Sequence, residues 1–308
     1  MSGKTSSTCE NAWVKPWRTF SSLSTAPAGT LTMSSATEDQ TLLIHLGGLG
    51  DVCLSESSFL SLFTFIGAQI TALGYVRFLS LFQDYFTAVR SVEERRWLPL
   101  FAGDVPSRTW QRIILIGKDR KGDLRHRLSP LSRYPFLFID MYPDEEPIHV
   151  EDYQLRQLAA SGMEALRKEV VPRHADRVIL YPEEPRGKRK WAYENFLALA
   201  EMLNAAGVNT ILLEAPDVDR PAEGSLRFSG LGEMAAFFGG GGVFFSNDSG
   251  VAHLAGACGL TTVTLFHDQR PAIWHPRGKN ISIACEDEYP SVTHIVSLIL
   301  KITASGVQ

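Results

Sequence analysis

The sequence predicts an α/β protein with two Rossmann-like domains, whose parallel sheets face a central cleft. Strand patterns alternate with helix patterns in both halves of the chain, as is typical of parallel α/β sheets. A charged stretch at 168–176 contains Pro172, lacks an apolar period and separates the halves. Each half also carries one glycine-bearing junction between a strand and a helix. Ligands of such sheets bind at the carboxyl ends of the strands, where both junctions fall.

The elements of the first half follow from short apolar runs and one helical period. Residues 41–46 form an apolar run typical of a buried strand, and the glycine-rich turn 47–51 leads into a helical stretch to Leu62. The pattern further predicts strands at 112–116 and 135–139 and a helix at 152–166, whereas 89–101 is mixed and is left unassigned.

The second half repeats this alternation more regularly. A strand at 178–181 precedes the amphipathic helix 193–206, which Gly207 ends. The remaining expected elements are strands at 210–213, 243–245 and 262–266 and helices at 232–238, 250–258 and 292–302.

The expected domain limits are 41–170 and 171–308. The terminal helix packs either within the second domain or back on the first. Residues 1–40 are rich in Ser, Thr, Ala and Gly and are expected to be disordered, with Met33 as an alternative start. No apolar core of a secretory signal occurs there, and the few arginines give little support to a transit peptide.

Composition excludes several classes of protein. The chain has 308 residues, a net charge of -4 and 44% hydrophobic residues, which is ordinary for a globular protein and gives no support to duplex binding. No apolar run is long enough to span a bilayer. The four cysteines are scattered without metal-ligand spacing, which predicts a reducing, cytoplasmic location without disulfides.

The most informative segment is the junction at 244–255, where an apolar strand ends in Ser246, Asn247, Asp248 and Ser249 before an alanine-rich helix. A helix N-terminus presents unpaired N–H groups and about half a positive charge, so it favours an anion. The alternative is that Asp248 or Ser246 only caps the helix. His253 lies one turn further, where it either reaches a bound phosphate or is a buried neutral histidine.

The first junction carries Gly47, Gly48 and Gly50, followed by Asp51. The glycines permit close approach or positive φ, but their spacing matches neither a dinucleotide-binding fingerprint nor a phosphate-binding P-loop. Asp51 is either a helix cap or a carboxylate facing the cleft as a general base.

Two further groups of residues lie in loops that follow strands. The basic run 186–190, which includes Arg189 and Lys190, is either solvated surface or a clamp on a diphosphate. Asp217 and Asp219 form a DxD triplet. We expect it to contact a ribose hydroxyl, and the alternative is a metal ion.

Together these segments resemble glycosyltransferase family nine, the ADP-heptose:lipopolysaccharide heptosyltransferases and their relatives. The resemblance covers about 41–303 and is carried by Gly48-Leu49-Gly50-Asp51, Lys190-Trp191, Ser229-Gly230, the run 246–255, Leu265-Phe266 and Trp274-His275-Pro276. It implies a GT-B fold, in which the first domain binds mainly the acceptor and the second the nucleotide-sugar donor. The Ser55-Glu56 pair replaces the Thr-Pro often found in the family, and the first half is short, so the acceptor is left open.

The resemblance also implies an inverting, metal-independent transfer, with ADP-heptose as substrate and no cofactor. Asp51 corresponds to the family's base, and Arg189 or Lys190 to its phosphate-binding basic residue. Ser249, Gly250 and His253 match the donor-phosphate segment, and Asp248 contacts the donor sugar or holds the turn. The expected acceptor is a saccharide, a lipopolysaccharide core or another lipid-linked saccharide, with peripheral contact to the inner membrane. Another nucleotide-sugar donor, a sugar-nucleotide epimerase and a non-catalytic nucleotide-binding domain are the alternatives.

Overall fold

The computed structural model describes residues 40–67, 69–102, 109–144, 146–182, 190–215, 222–285 and 288–305. Within these ranges two five-stranded sheets, all of whose strand pairs are parallel, account for the strands. The predicted α/β class with two parallel sheets is therefore confirmed.

The first sheet has the order β3-β2-β1-β4-β5. Its strands are β1 (Thr41–His45), β2 (Ile70–Gly74), β3 (Ala88–Ser91), β4 (Arg112–Gly117) and β5 (Leu137–Asp140). The helices of this half are α1 (Leu49–Leu54), α2 (Glu56–Ile66), α3 (Val76–Leu79), α4 (Leu98–Ala102), α5 (Asp123–Leu128) and α6 (Val150–Ala160). The central strand β1 is buried along its whole length, as its continuous apolar run predicts.

The second sheet has the order β10-β9-β8-β6-β7. Its strands are β6 (Arg177–Tyr181), β7 (Asn209–Leu212), β8 (Val243–Asn247), β9 (Thr261–Phe266) and β10 (Asn280–Ala284). The helices are α7 (Tyr193–Ala205), α8 (Leu231–Phe238), α9 (Gly250–Ala257), α10 (Pro271–Trp274) and α11 (Val292–Ser305).

One hydrophobic core extends through both halves. It contains Leu43 and Ile114 of the first sheet together with Ile179 and Phe244 of the second. Two smaller cores cover the outer faces of the two sheets. The shared core explains how residues distant in sequence are brought together at the carboxyl ends of the strands.

Several elements differ from the sequence-based expectation. The first helical stretch breaks at Ser55 into α1 and α2, and α6 ends at Ala160 instead of continuing to Leu166. The sequence assigned no strand to β2, β3 or β10. The terminal helix α11 packs against α7 and β8 within the second half. No helix among the described residues is both long and apolar enough to cross a membrane.

The segment between α6 and β6 forms neither helix nor strand and is held by hydrogen bonds to both halves. The N–H of Lys168 donates to Ser57 Oγ (2.8 Å) in the first half. Further on, the N–H of Arg173 donates to the Gly259 carbonyl (2.7 Å), and the Arg173 carbonyl accepts from Gly242 (2.9 Å). The predicted boundary region therefore contacts elements of both halves.

Candidate active site

The junction after β8 has the geometry of a capped helix start. Ser249 is the N-cap of α9, and its Oγ accepts a hydrogen bond from the N–H of Ala252 (3.2 Å). The preceding Asp248 is fixed by its own N–H, which donates to the Leu265 carbonyl of β9 (2.9 Å). The cap is thus Ser249, not Asp248 or Ser246, and the first N–H groups of α9 point to the carboxyl end of the sheet.

At the first junction, Asp51 takes part in the helix cap. Gly48 is the N-cap of α1, and its N–H donates to Asp51 Oδ2 (2.9 Å). A Cβ atom on Gly47 would lie 2.5 Å from the Cβ of Asp51, so the loop needs glycine at this position. Because a carboxylate accepts several hydrogen bonds, the capping role of Asp51 is compatible with a role toward a substrate hydroxyl.

A buried histidine fixes the backbone below this loop. The N–H of Gly47 donates to His45 Nδ1 (3.2 Å), which leaves the proton on Nε2, 3.1 Å from Ser55 Oγ. Ser55 Oγ in turn donates to the Asp51 carbonyl (2.9 Å). Burial lowers the pKa of His45 to about 4, so the ring is neutral at physiological pH. This relay was not predicted, because it depends on the break between α1 and α2.

The two junctions are in direct contact. A Cβ atom on Gly50 would lie 2.8 Å from Cδ2 of His253, and one on Gly250 would lie 3.0 Å from the Cβ of Leu49. The glycines therefore allow α1 and α9 to approach closely at their N-terminal ends. Asp51 and Ser249, which the sequence placed in separate domains, belong to one region of the structure.

His253 is a buried neutral histidine in this region. Burial, together with His149 and His275, lowers the pKa of His253 to about 3. Its Nε2 lies 4.0 Å from Asp248 Oδ1, and its Nδ1 is buried without a hydrogen-bond partner among the described residues. Burial raises the pKa of Asp248 to about 6. His253 is therefore neutral at physiological pH and forms no ion pair with Asp248, which is protonated only as the pH falls through about 6.

Two further histidines line the same region. The rings of His149 and His275 are stacked, with centroids 3.9 Å apart and planes 14° from parallel. His149 Nε2 donates to the His275 carbonyl (2.9 Å). Burial, and to a smaller extent the neighbouring His275, lower the pKa of His149 to about 4. His275 appeared in the sequence only within a family segment, and no local signal pointed to His149.

In the second half, Asn247 positions the start of the predicted phosphate-binding segment. Asn247 Oδ1 accepts the N–H of Trp191 (3.0 Å), and its Nδ2 donates to the Trp191 carbonyl (3.4 Å). Lys190, immediately before Trp191, is thereby brought to the carboxyl end of β8. Arg189, the alternative basic residue, lies outside the described residues.

The predicted ribose ligand Asp217 and its neighbour Asp219 also lie outside the described residues, but the base of their loop is well defined. Buried Glu214 accepts hydrogen bonds from Tyr193 OH (2.5 Å), Ser225 Oγ (2.8 Å) and the N–H of Ala222 (3.1 Å). Glu214 thereby connects the two ends of the loop. The sequence did not point to this role, because the partners of Glu214 are distributed along the chain.

Near Asp51, aromatic residues from both halves meet. The rings of Tyr142 and Trp274 lie 5.4 Å apart, and Lys118 Nζ is 5.0 Å from the centroid of the Tyr142 ring. Burial, and after it the carboxylates of Asp51 and Asp140, raise the pKa of Tyr142. Tyr142 therefore belongs to the electrostatic surroundings of the candidate base.

The contact between Gly50 and His253 makes a stability prediction with a matched control. Gly50→Ala forces the His253 ring to shift and is expected to destabilise the fold by about 1–3 kcal/mol. Gly232 has the same place in α8, within Gly230-Leu231-Gly232, but an added Cβ meets nothing within 4 Å. Gly232→Ala should therefore stabilise by up to about 1 kcal/mol through helix propensity. Urea unfolding measures the change in the free energy of unfolding for both variants. Equal changes would contradict the contact between Gly50 and His253.

Comparisons with known proteins bear on the family and on the fold of the chain. Residues 149–297 match the sequence profile of Glycosyltransferase family 9 (heptosyltransferase). This span contains the second sheet and the α9 junction. Among curated protein sequences, none matches the chain significantly.

Solved structures show the same fold at low sequence identity. A glycosyl transferase family 9 protein from Veillonella parvula is 16% identical with a TM-score of 0.62, over 86% of this chain and 92% of its own. E. coli heptosyltransferase WaaC with ADP-2-deoxy-2-fluoro heptose is 16% identical with a TM-score of 0.62, over 86% and 99%. E. coli ADP-heptose lps heptosyltransferase II is 15% identical with a TM-score of 0.62, also over 86% and 99%. Residues 149–297 therefore form a glycosyltransferase family 9 domain, and the chain is a glycosyltransferase with the GT-B fold of the heptosyltransferases.

Proposed function

We propose that this enzyme transfers a sugar from a nucleoside diphosphate sugar, with ADP-heptose as the expected donor, to a saccharide acceptor with inversion at the anomeric carbon. The observation that carries the proposal is the contact of the Asp51 loop with α9 through Gly50 and His253. It brings a candidate base and an anion-binding helix N-terminus into one region. The solved structure of E. coli heptosyltransferase WaaC with ADP-2-deoxy-2-fluoro heptose supports a nucleotide-sugar donor.

The proposed reaction is a single displacement. An acceptor hydroxyl oxygen forms a bond to the anomeric carbon while the bond from that carbon to the diphosphate oxygen breaks. The hydroxyl proton passes to the carboxylate of Asp51, and the bonding electron pair leaves with the diphosphate. Inversion follows because the acceptor attacks the face opposite to the leaving group.

Stabilisation of the leaving group is assigned to α9 and to the basic segment that precedes Trp191. The N–H groups after the Ser249 cap and the positive end of the helix dipole favour the developing charge. Lys190, held near β8 by the Asn247–Trp191 hydrogen bonds, supplies a cation in this proposal. Under the proposal, these groups take the place that a metal ion fills in other transferases.

The first test is a thermal-shift panel of ADP, UDP, GDP and CMP. A ligand at 100 times its Kd stabilises the folded state by about 2.7 kcal/mol, which a melting curve detects. A selective response to ADP supports the proposed donor, and a selective response to UDP or GDP assigns another nucleotide. Absence of any response would contradict nucleotide-sugar transfer.

Two other functions on the same scaffold make different predictions. A sugar-nucleotide epimerase would convert the nucleotide-sugar without an acceptor, which chromatography of the reaction mixture detects. A non-catalytic domain would bind ADP without releasing it from ADP-heptose. The position of Asp51 beside α9 favours the transferase.

Asp248 gives the proposed donor site a characteristic pH dependence. Its pKa is raised to about 6, so it is protonated as the pH falls through 6 while His253, with a pKa of about 3, stays neutral. A bound diphosphate is negatively charged, so it favours the protonated, neutral form of Asp248 and raises its pKa. ADP should therefore bind more tightly at pH 5.5 than at pH 8. The affinity should differ by about tenfold for each pKa unit by which bound ADP raises the pKa of Asp248.

The control for this prediction is Asp248→Asn, which titrates nowhere in this range. Any remaining pH dependence in the variant belongs to the second ionisation of the phosphate, near pH 6. Isothermal titration at both pH values measures the difference. Identical pH profiles for the two proteins would place the diphosphate away from Asp248.

A further inference from the structure

The start of α6 in the first half is joined to the segment 270–277 of the second half, which contains α10. Four residues between the end of β5 and the first turn of α6 contribute to this connection, which we term the clasp. The contacts of the clasp are Tyr142 with Trp274, the Asp144 carbonyl with Arg270, His149 with His275 and Glu151 with Arg277. Burial, and after it Asp51, raise the pKa of Tyr142, so one end of the clasp lies near the candidate base.

Each side of the clasp is fixed to the elements behind it. In the first half, α6 contacts α2 and β5, and Gln157 Nε2 donates to the Asp140 carbonyl at the end of β5 (2.9 Å). In the second half, a Cβ atom on Gly256 of α9 would lie 2.6 Å from the Arg277 carbonyl oxygen. Gly256 follows His253 by three residues, so the two lie on the same face of α9. The clasp therefore connects the first sheet to the face of α9 that carries His253.

The pair of His149 and His275 is the central contact of the clasp. The two rings are stacked with centroids 3.9 Å apart, and His149 Nε2 donates to the His275 carbonyl (2.9 Å). Stacking restricts the tilt of one ring against the other, and the hydrogen bond, which is directional, restricts sliding. His149 is 8% exposed, and burial and then His275 lower its pKa to about 4. The contact is therefore buried, directional and uncharged at neutral pH.

Sugar transfer by a single displacement depends on the alignment of the two halves. The candidate base Asp51 belongs to α1 of the first half, whereas the N–H groups assigned to the leaving group belong to α9 of the second. A misplacement of about 1 Å can lower a rate by about 10²-fold. The contact of Gly50 with His253 limits how closely α1 and α9 approach, but a van der Waals contact has little directionality. The stacked histidine pair supplies a directional contact between the halves.

We propose that His149 is a positioning residue for sugar transfer. Its ring stack and hydrogen bond with His275 hold α6 and the first sheet against α9, so that Asp51 faces the anomeric carbon of a donor bound at α9. His149 acts through His275 and takes no part in the bond changes of the reaction. The inference rests on the proposed function and assigns to that reaction a residue that the sequence did not indicate.

The test is the steady-state kinetics of His149→Ala, measured as ADP release from ADP-heptose with a lipopolysaccharide-core acceptor. The variant loses both the stack and the hydrogen bond, so kcat should fall by about 10–100-fold. The KM for ADP-heptose and the Kd for ADP should stay within about twofold, because the first turn of α9 is unchanged. Damage to the donor site itself would instead raise both of these constants.

Two conservative variants separate the parts of the contact and replace His149→Ala if it fails to fold. His149→Gln keeps an N–H donor in place of Nε2, and His149→Phe keeps a ring that stacks on His275. Each should recover part of the kcat that His149→Ala loses. Values as low as that of His149→Ala in both variants would show that neither interaction positions the halves.

The matched control is His267→Ala. His267 Nδ1 donates to the Cys285 carbonyl (2.6 Å), and its ring lies 5.7 Å from that of Tyr289. It therefore makes the same kinds of contact as His149, but both of its partners belong to the second half. Its substitution should lower the free energy of unfolding in urea without a comparable loss of kcat. An equal loss of kcat in His267→Ala and His149→Ala would contradict a role that depends on joining the halves.

The outcomes separate this inference from the proposed function. If the unmodified enzyme transfers heptose and His149→Ala retains its kcat, or loses affinity for ADP instead, the positioning role is overturned and the proposed function stands. An unmodified enzyme that binds ADP but releases none from ADP-heptose with or without an acceptor would overturn the proposed function and this inference together.

Discussion

Replacing Asp51 by asparagine is expected to lower the rate of sugar transfer by about 10²–10⁴-fold, the usual contribution of a positioned general base. The amide oxygen of asparagine still accepts the N–H of Gly48, so the α1 cap and the fold should be retained. Asparagine cannot take the acceptor proton, so the loss should appear in kcat. The measurement is ADP release from ADP-heptose in the presence of a lipopolysaccharide-core acceptor.

The control for Asp51→Asn is Asp119→Asn. Asp119 is a buried carboxylate after β4 that accepts the N–H groups of Leu124 (3.2 Å) and Arg125 (2.9 Å), and so has a comparable structural role at α5. Its substitution should alter stability but not kcat. The affinity for ADP should be unchanged in both variants, because the base contacts the acceptor. Near-normal turnover of Asp51→Asn would remove Asp51 from the mechanism.

The second large effect concerns Arg277, which is 3% exposed and joins the two halves. Its guanidinium lies 2.5 Å from Glu56 Oε2 and 2.7 Å from Glu151 Oε1. It also donates to the Lys168 carbonyl (2.5 Å) in the segment between the halves. Burial alone would lower the pKa of Arg277, but Glu56 and Glu151 raise it, so the side chain remains charged.

Arg277→Met should destabilise the fold by about 3 kcal/mol, because partly buried Glu56 loses its cation and buried Glu151 keeps only its ion pair with Arg167 (2.8 Å). Arg156→Met is the matched control, since Arg156 pairs with Glu146 at 2.6 Å on the surface and should cost less than about 1 kcal/mol. Urea unfolding measures both. Adding Glu56→Gln and Glu151→Gln to Arg277→Met should recover part of the loss. Equal costs for the two arginine variants would contradict the buried network.

The fold was largely predictable from local patterns. Strands β1, β4, β6, β8 and β9 are apolar runs between turn residues, and a local pattern is sufficient to find them. β2 was missed because its sequence continues the apolar run of α2 with only a short break after Gly67. β10 was missed because it is a half-buried strand at the sheet edge, where little apolar surface is required.

The candidate site was predictable only where its signals are local. The helix start at α9 and the turn around Asp51 depend on adjacent residues, and the sequence identified both, although it offered Asp248 or Ser246 as the α9 cap where the structure has Ser249. The contact of Gly50 with His253 depends on how two sheets pack, which no local pattern encodes. The same holds for Glu214, whose partners come from α7 and from the far end of its loop. For Arg189 and Asp217 the predicted roles stay predictions.

The most direct test of the central claim, that the α9 junction holds the donor diphosphate beside Asp51, is a crystal structure of the enzyme with ADP. We expect phosphate oxygens at about 2.7–3.2 Å from N–H groups of the first turn of α9, after the Ser249 cap, with Lys190 close by. We also expect the terminal phosphate to face the Asp51 loop. A diphosphate bound away from α9, or one separated from Asp51 by the body of α1, would contradict the account.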